Sequence, residues 1–188
     1  MRLLHLTLMA ALQHVVFAGG CFWGMQAVFN ELRGVHAVAG YSGGTAATAH
    51  YETVSTGETG HAESVDVTYD PSKITFHQLL DVYFLVAHDP TELNRQGPDE
   101  GPQYRSEIFY TSSQQRDEAQ REIDSLQQRH VFSSPIVTKL APFTAFYRAE
   151  EYHQDYVAHN PWEPYVVFND KPKLAHLRRA FPQLLAKR

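Results

Sequence analysis

Residues His14 to Ala18 form a short apolar run that stops at Gly19-Gly20, which predicts a strand closed by a tight turn. From Cys21 onward, Phe22, Met25, Val28, Phe29 and Leu32 recur at spacings of three and four, the mark of a helix with one buried face. Gly34 is placed to end it. Val35 to Tyr41 reads as a second strand, broken at Gly43-Gly44. No apolar period is sustained from Thr45 to Gly60, which reads as a long surface loop, and loops of that length are commonly functional or disordered.

Val65, Val67 and Tyr69 alternate with polar residues, so Glu63 to Tyr69 is a third strand, closed by Asp70-Pro71. Thr75 with Gln78 makes a capping-box pattern, and Leu79, Leu80, Tyr83, Phe84 and Ala87 continue it as an apolar helix. Asp89-Pro90 opens a Gly- and Pro-rich irregular stretch that lasts to Gln103, followed by a fourth strand from Tyr104 to Tyr110. Ser112 and Gln115 cap a polar helix whose apolar seam is Ala119, Ile123 and Leu126. Ile136 to Leu140 is read as a fifth strand and Lys173 to Leu185 as a terminal helix. The order strand-helix-strand-strand-helix-strand is the split βαβ pattern. It predicts an α+β fold, a ferredoxin-like two-layer sandwich with a mixed sheet and an extended C-terminal tail.

Length and composition narrow the class. The chain has 188 residues, enough for one domain, with 43% apolar and 20% charged residues, an ordinary globular balance. Its net charge of -5 argues against the basic footprint of a nucleic-acid binder. No stretch approaches the roughly 18 apolar residues of a membrane span. The opening MRLLHLTLMAALQ is read as an N-terminal extension, residues 1-13, ahead of a domain over residues 14-188. It loosely resembles a signal peptide but carries His5 and lacks a clear cleavage site, so a cytoplasmic protein is expected, with export as the alternative. A monomer is expected.

One cysteine excludes an internal disulfide, a CxxC redox pair and a zinc site with two thiolates. Cys21 follows a Gly-Gly turn and opens a helix, where free backbone N–H groups and the helix dipole favour its thiolate. A free thiol is only about 3% ionised at pH 7, and this position is expected to raise the fraction. A buried, inert core cysteine is the alternative. Gly20 and Gly24 let backbone approach a ligand, and Phe22 and Trp23, at successive helical positions, place at least one ring beside the thiol. Read singly, Glu63 fits a solvated carboxylate, Tyr51 and Tyr104 fit packing residues, and Asp99 fits a turn. His61 and His153 are two of 11 histidines, but no HxxH or HxxxH spacing occurs, so no metal is expected and His61 reads as a loop-ordering partner.

Gly20-Cys21-Phe22-Trp23-Gly24 resembles the signature of the peptide methionine sulfoxide reductase A family. Gly40-Tyr41-Ser42-Gly43-Gly44 resembles its GY(A/S)GG loop, and Thr59-Gly60-His61-Ala62-Glu63 its TGHAE segment, with Tyr51 twelve residues before the Glu. His88-Asp89-Pro90-Thr91 and Asn94-Arg95-Gln96-Gly97-x-Asp99, running on to Gln103-Tyr104-Arg105-Ser106, resemble its HDPT…NRQGxDxGxQYRS stretch. The likeness spans about Val16 to Leu185.

The resemblance implies an oxidoreductase of protein repair under oxidative stress, reducing methionine S-sulfoxide, free or in oxidised proteins. It implies Cys21 as nucleophile, ending as a sulfenic acid, and Glu63 as acid with Tyr51 and Tyr104 assisting at the oxygen. Asp99 would be a site residue ordering the loop that carries Tyr104, and Phe22, Trp23 and Gly20 would hold the substrate together with Tyr51 and Tyr104. A carboxyl pressed among these rings should be desolvated and stay protonated. No metal, nucleotide or flavin is implied; electrons would come from an external thiol, glutaredoxin, glutathione or thioredoxin, and neither nucleic acid nor membrane is a partner. Many members carry further cysteines that attack the oxidised sulfur. Here Ser55 and the Val166-Val167 pair stand where others have Cys, and no resolving cysteine exists. The rival enzyme reading is a one-cysteine thiol peroxidase, and the rival outside enzymes is a binding module with an inert core cysteine.

Overall fold

The computed structural model describes residues 11–187, so most of the segment read as an N-terminal extension lies outside the described residues. Gln13, assigned to that extension, instead starts the first strand. The fold is mixed α+β: helices pack on a six-stranded mixed sheet. In chain order it comprises β1 (Gln13–Ala18), α1 (Phe22–Asn30), β2 (Val35–Ser42), α2 (Tyr51–Val54), β3 (Ala62–Tyr69), α3 (Phe76–Val82), β4 (Arg95–Gln96) and β5 (Asp99–Glu100). Then follow β6 (Glu107–Tyr110), α4 (Ser113–Gln128), β7 (Lys139–Pro142), β8 (Phe146–Arg148), α5 (Tyr156–His159) and α6 (Lys171–Ala180). The main sheet runs β7-β6-β1-β3-β2-β8, antiparallel except for the β6–β7 pair, and β4 with β5 forms a separate small hairpin.

Strand alternation divides the residues between two cores. Val15 and Phe17 of β1, Val65, Val67 and Tyr69 of β3, and Ala37, Ala39 and Tyr41 of β2 join the large core beneath the helices. Val16, Ala18, Ala62 and Phe109 face the other way and are covered by Phe143 and Phe146. Glu63 is two residues before Val65, so the same alternation turns it toward the large core, and it is buried. Register places Glu63 opposite Tyr41 and Ser64 opposite Ala18, at the end of β1 from which the chain turns into α1.

The main helices form where the apolar spacing predicts them. Thr75 and Gln78 make the reciprocal capping box, after which α3 widens into a π turn over Tyr83–Ala87. Ser112 caps α4 by accepting from the Gln115 N–H, and the seam of Ala119, Ile123 and Leu126 is buried. Other expectations need correction. The segment Thr45 to Gly60 is not a plain loop: it contains a 3-10 turn, Ala46–Thr48, and α2. Tyr104 does not lie in a strand, because Gly101, at φ 132, and Pro102 turn the chain through Pro102–Tyr104 and β6 begins only at Glu107. The fifth strand expected at Ile136 to Leu140 is displaced to Lys139–Pro142, and β8 was not expected. The terminal helix ends at Ala180, since Phe181 precedes Pro182 and leaves helical geometry, and a single turn, Pro182–Leu184, completes it. None of the helices among the described residues is long and apolar enough to cross a membrane.

Candidate active site

Cys21 is the N-cap of α1, and the chain reaches it through Gly20 at φ +90. A Cβ on Gly20 would stand 2.5 Å from Cγ of Gln96, so glycine is needed to let β1 turn under the hairpin loop. Gly24, in the first turn of α1, has the same necessity: a Cβ there would lie 2.2 Å from Oδ1 of Asp170.

A cavity of about 160 Å³ opens over the thiol, lined by Cys21, Phe22, Trp23, Tyr51, Glu63, Asp99, Tyr104 and Tyr165. Residues from six separate stretches of chain thus converge: the start of α1, α2, β3, β5, the turn before β6 and the C-terminal segment. Every residue singled out as catalytic in the sequence lines this space, together with Phe22 and Trp23. Gly20, expected to touch substrate, is outside the lining and serves the turn behind the thiol.

Glu63 is 3% exposed, and one of its oxygens, Oε2, accepts the backbone N–H of Phe22 at 3.1 Å. That bond ties β3 to the first residue of α1, directly beside the sulfur. Burial raises the carboxyl pKa from the usual glutamate value to about 8, overriding the Phe22 N–H, which lowers it; the Asp99 charge adds to the rise. Glu63 therefore carries a proton through neutral pH. Cys21 departs from the expectation drawn from its helix position. The thiol is 8% exposed, and burial, then the charges of Glu63 and Asp170, push its pKa well above the ordinary value, although the Trp23 backbone N–H pulls it down. Desolvation outweighs the helix terminus, and the resting residue is a thiol.

The tyrosines stay protonated. Burial, with the negative field of Glu63, raises both Tyr51 and Tyr104. Tyr165 is raised by burial too, and its hydroxyl donates to Asp99 Oδ2. Asp99 thus ties to Tyr165 the loop that runs on to the Tyr104 turn. Arg105 holds that turn: its guanidinium donates to Pro102 O, Gly60 O and His61 O at 3.0, 3.0 and 3.1 Å and pairs with Glu107 at 2.6 Å. Gln103 adds a bond to Ser55 O at the end of α2. His61 orders its loop as expected, accepting from the Gly44 N–H at 3.2 Å with its other ring nitrogen 3.0 Å from Thr45 O.

His153 and Asp170 complete the surroundings. Trp23 Nε1–H donates to His153 Nδ1 at 2.9 Å, and the imidazole packs on Tyr51 and Phe22. Trp23 itself stacks on Tyr156, ring centres 3.7 Å apart. Asp170 is completely buried, and neither carboxylate oxygen has a hydrogen-bond partner among the described residues. Burial raises its pKa to about 6, against the pull of Lys173. Tyr165, Asp170, Arg105 and His153 were not identified from the sequence as site residues with these roles. In the sequence Arg105 reads only as part of a motif, and His153 only as a rejected metal ligand. One cluster away from the cavity, His77, Asp81 and Glu122, has metal-compatible side chains, although the HxxH spacing sought in the sequence is absent.

The arrangement brings a thiol, a neutral carboxylic acid and three tyrosines around one small space with an aromatic wall. The chemistry it can do is attack by a soft nucleophile with proton delivery to a departing or reduced oxygen. The peptide methionine sulfoxide reductase family model matches residues 13–184. A relative from Mesorhizobium japonicum, peptide methionine sulfoxide reductase MsrA 2, is 55% identical over 174 residues, covering 92% of this chain and 89% of that protein. Among solved structures, Mxr1 from Saccharomyces cerevisiae in reduced form is 34% identical with a TM-score of 0.73, covering 80% of this chain and 87% of that one. The same yeast protein in complex with Trx2 matches at 25% identity and a TM-score of 0.53, covering 77% and 84%.

Because Asp170 places a negative charge in the field of the Cys21 sulfur, Asp170→Asn should lower the thiol pKa. The rate of Cys21 alkylation by iodoacetamide, measured at about pH 8, should rise by roughly threefold or more. An unchanged rate would show that the carboxyl leaves the thiol's ionisation alone.

Proposed function

The chain belongs to the peptide methionine sulfoxide reductase family, and we propose that Cys21, Glu63, Tyr51 and Tyr104 carry its reaction. The protein is an oxidoreductase that reduces methionine sulfoxide at the expense of thiols. The observation that carries the assignment of roles is Glu63, a carboxyl buried beside the only thiol in the chain and held protonated to about pH 8.

The sulfoxide sulfur meets Cys21 Sγ, and its oxygen lies toward Glu63 with the hydroxyls of Tyr51 and Tyr104. Bare oxide is a very poor leaving group, so the oxygen must gain a proton as the S–S interaction forms. Glu63 supplies it, from the oxygen that does not accept the Phe22 N–H. In the balance of the step, the sulfoxide sulfur gains two electrons and leaves as methionine thioether, while Cys21 sulfur loses two and takes the oxygen as a sulfenic acid. The thiol proton returns to the Glu63 carboxylate. Phe22 and Trp23 make the apolar wall for the substrate methyl. Sulfur, oxygen and methyl thus have three different surroundings, which selects one epimer at sulfur; the family type points to the S epimer.

Recycling follows from the single cysteine. With no second thiol in the chain, two external thiols reduce the sulfenic acid to thiol and water, leaving a disulfide among themselves. The complex of yeast Mxr1 with Trx2 supports a thioredoxin-type donor; glutaredoxin or glutathione would suit a sulfenic acid that has no internal partner. Dependence on thiols favours a reducing compartment, the cytoplasm, for a monomer whose reductase domain spans residues 14-188. Oxidised proteins and free methionine sulfoxide are the substrates. The ferredoxin-like description of the core belongs to the same reading, supported by the order β6-β1-β3-β2 with α1 and α3 as crossovers.

Without reductant, one chain should release close to one methionine from excess sulfoxide, and its mass should rise by one oxygen. Loss of two hydrogens, or a Cys21–Cys21 dimer as main product, would contradict the assigned course. Glu63→Gln should slow the single-turnover rate by about 10²–10⁴-fold. In the unaltered protein that rate should fall as pH rises through about 8, where Glu63 loses its proton. A variant as fast as the parent at every pH would remove Glu63 from the mechanism.

A further inference from the structure

The cavity over Cys21 is small, about 160 Å³, a few times the roughly 30 Å³ share of one water molecule. It accommodates the end of one side chain. When the sulfoxide belongs to a polypeptide, its backbone and neighbouring side chains must therefore lie outside, against the rim.

A larger groove of about 470 Å³ adjoins the cavity. Trp23 lines both spaces. Ala27 is four residues further along α1 on the same face, and with Val157, Ala158 and Leu174 it gives the groove an apolar lining. Four helical residues rise about 6 Å, the length of about two residues of extended chain. Side chains one or two positions from the oxidised methionine would thus come within reach of this lining.

The groove is built, not left by loose packing. Asp155 holds a left-handed conformation, φ 51, at the start of α5, and its N–H donates to Gln26 Oε1 at 2.8 Å. Gln26 in turn donates to Gln154 Oε1 at 3.1 Å, fixing α5 against α1. At the other end the Arg178–Glu31 pair, 2.7 Å, bridges α6 and the end of α1. Lys171 lines the groove, and its ammonium sits 4.5 Å over the ring of Trp162, which is 84% exposed and extends the apolar surface outward.

We propose that this groove is a subsite for an apolar side chain one or two residues from the methionine sulfoxide of an oxidised polypeptide. The occupant is the substrate chain itself, because the groove and the cavity where the sulfoxide reacts share Trp23 as a wall, so a polypeptide held at Cys21 has its neighbouring residues beside the groove. The proposal rests on methionine sulfoxide reduction at Cys21. It separates the substrates: free methionine sulfoxide fills only the cavity, and peptide substrates use both spaces.

The test compares kcat/KM for free methionine sulfoxide and for short peptides that place Phe or Ser at each of the two positions on either side of the oxidised methionine. The parent protein should prefer a Phe peptide over its Ser counterpart by about tenfold at one of those positions. Ala27→Gln, which fills the groove with a polar side chain, should bring that ratio close to one and leave free methionine sulfoxide unaffected. Ala158→Gln, at an exposed position on the opposite wall, should do the same and serves if the first variant is unstable. A parent without any Phe preference, or variants that keep it, would overturn the subsite. Failure of the parent to reduce free methionine sulfoxide would instead overturn the reaction on which it rests, and the subsite with it.

Discussion

The hydrogen bond from the Phe22 N–H to Glu63 is the point on which the site depends. It joins the sheet to the helix at the residue after the thiol, so the acid and the nucleophile are positioned by the same contact. Three features are needed to make it. β3 must present Glu63 on its core side, in the row of Val65, Val67 and Tyr69. β1 must end at a glycine turn, because only there can the chain fold back over Glu63 and start a helix with free N–H groups. The rest of the cavity must then close around the carboxyl, and it does so with rings from α1, α2, the turn before β6 and the C-terminal segment.

Closure sets the protonation of the whole site. Burial raises Glu63, Asp99 and Asp170 above ordinary carboxylate values and raises the Cys21 thiol as well. A free thiolate is thus given up in the resting state in return for an acid that still holds its proton near neutral pH. For a sulfoxide that is a sound exchange, since the oxygen cannot leave without a proton and the thiol proton can be passed on as the sulfur attacks. Stability is given up as well: a buried carboxyl whose folded pKa lies above its unfolded value supports the fold least once pH has risen through about 8. A site that conflicts with its surroundings in this way is where function and folding pull apart.

Much of this was legible in the residues. The helical periods and four of the central strands follow from apolar spacing, because each of those elements buries a regular face, and both caps follow from a Thr or Ser three residues before a Gln. The motif resemblance brought together Cys21, Glu63, Tyr51, Tyr104, Asp99, Phe22 and Trp23, which line one cavity. The burial of Glu63 had a signal of its own, the alternation that runs from Glu63 through Val65 to Tyr69, outweighed by the habit of carboxylates to face water. β8 had no comparable signal: it is three residues long, half-buried, and exists because β2 has a free edge. Tyr165 and Asp170 were out of reach for another reason. Their places depend on how the C-terminal segment folds back over α1, and no local pattern encodes that return. The thiol's ionisation was misjudged because a helix N-terminus can be seen in sequence and the depth of burial cannot.

Whether Glu63 is the acid can be read from titration of its own carboxyl. With ¹³C-carboxyl glutamate in the reduced, substrate-free protein, and Glu63→Gln to identify the resonance, the chemical shift can be followed against pH. A midpoint near 8 is expected. A midpoint in the ordinary glutamate range, about 4.3, would mean that Glu63 is ionised at neutral pH and cannot be the acid that protonates the sulfoxide oxygen.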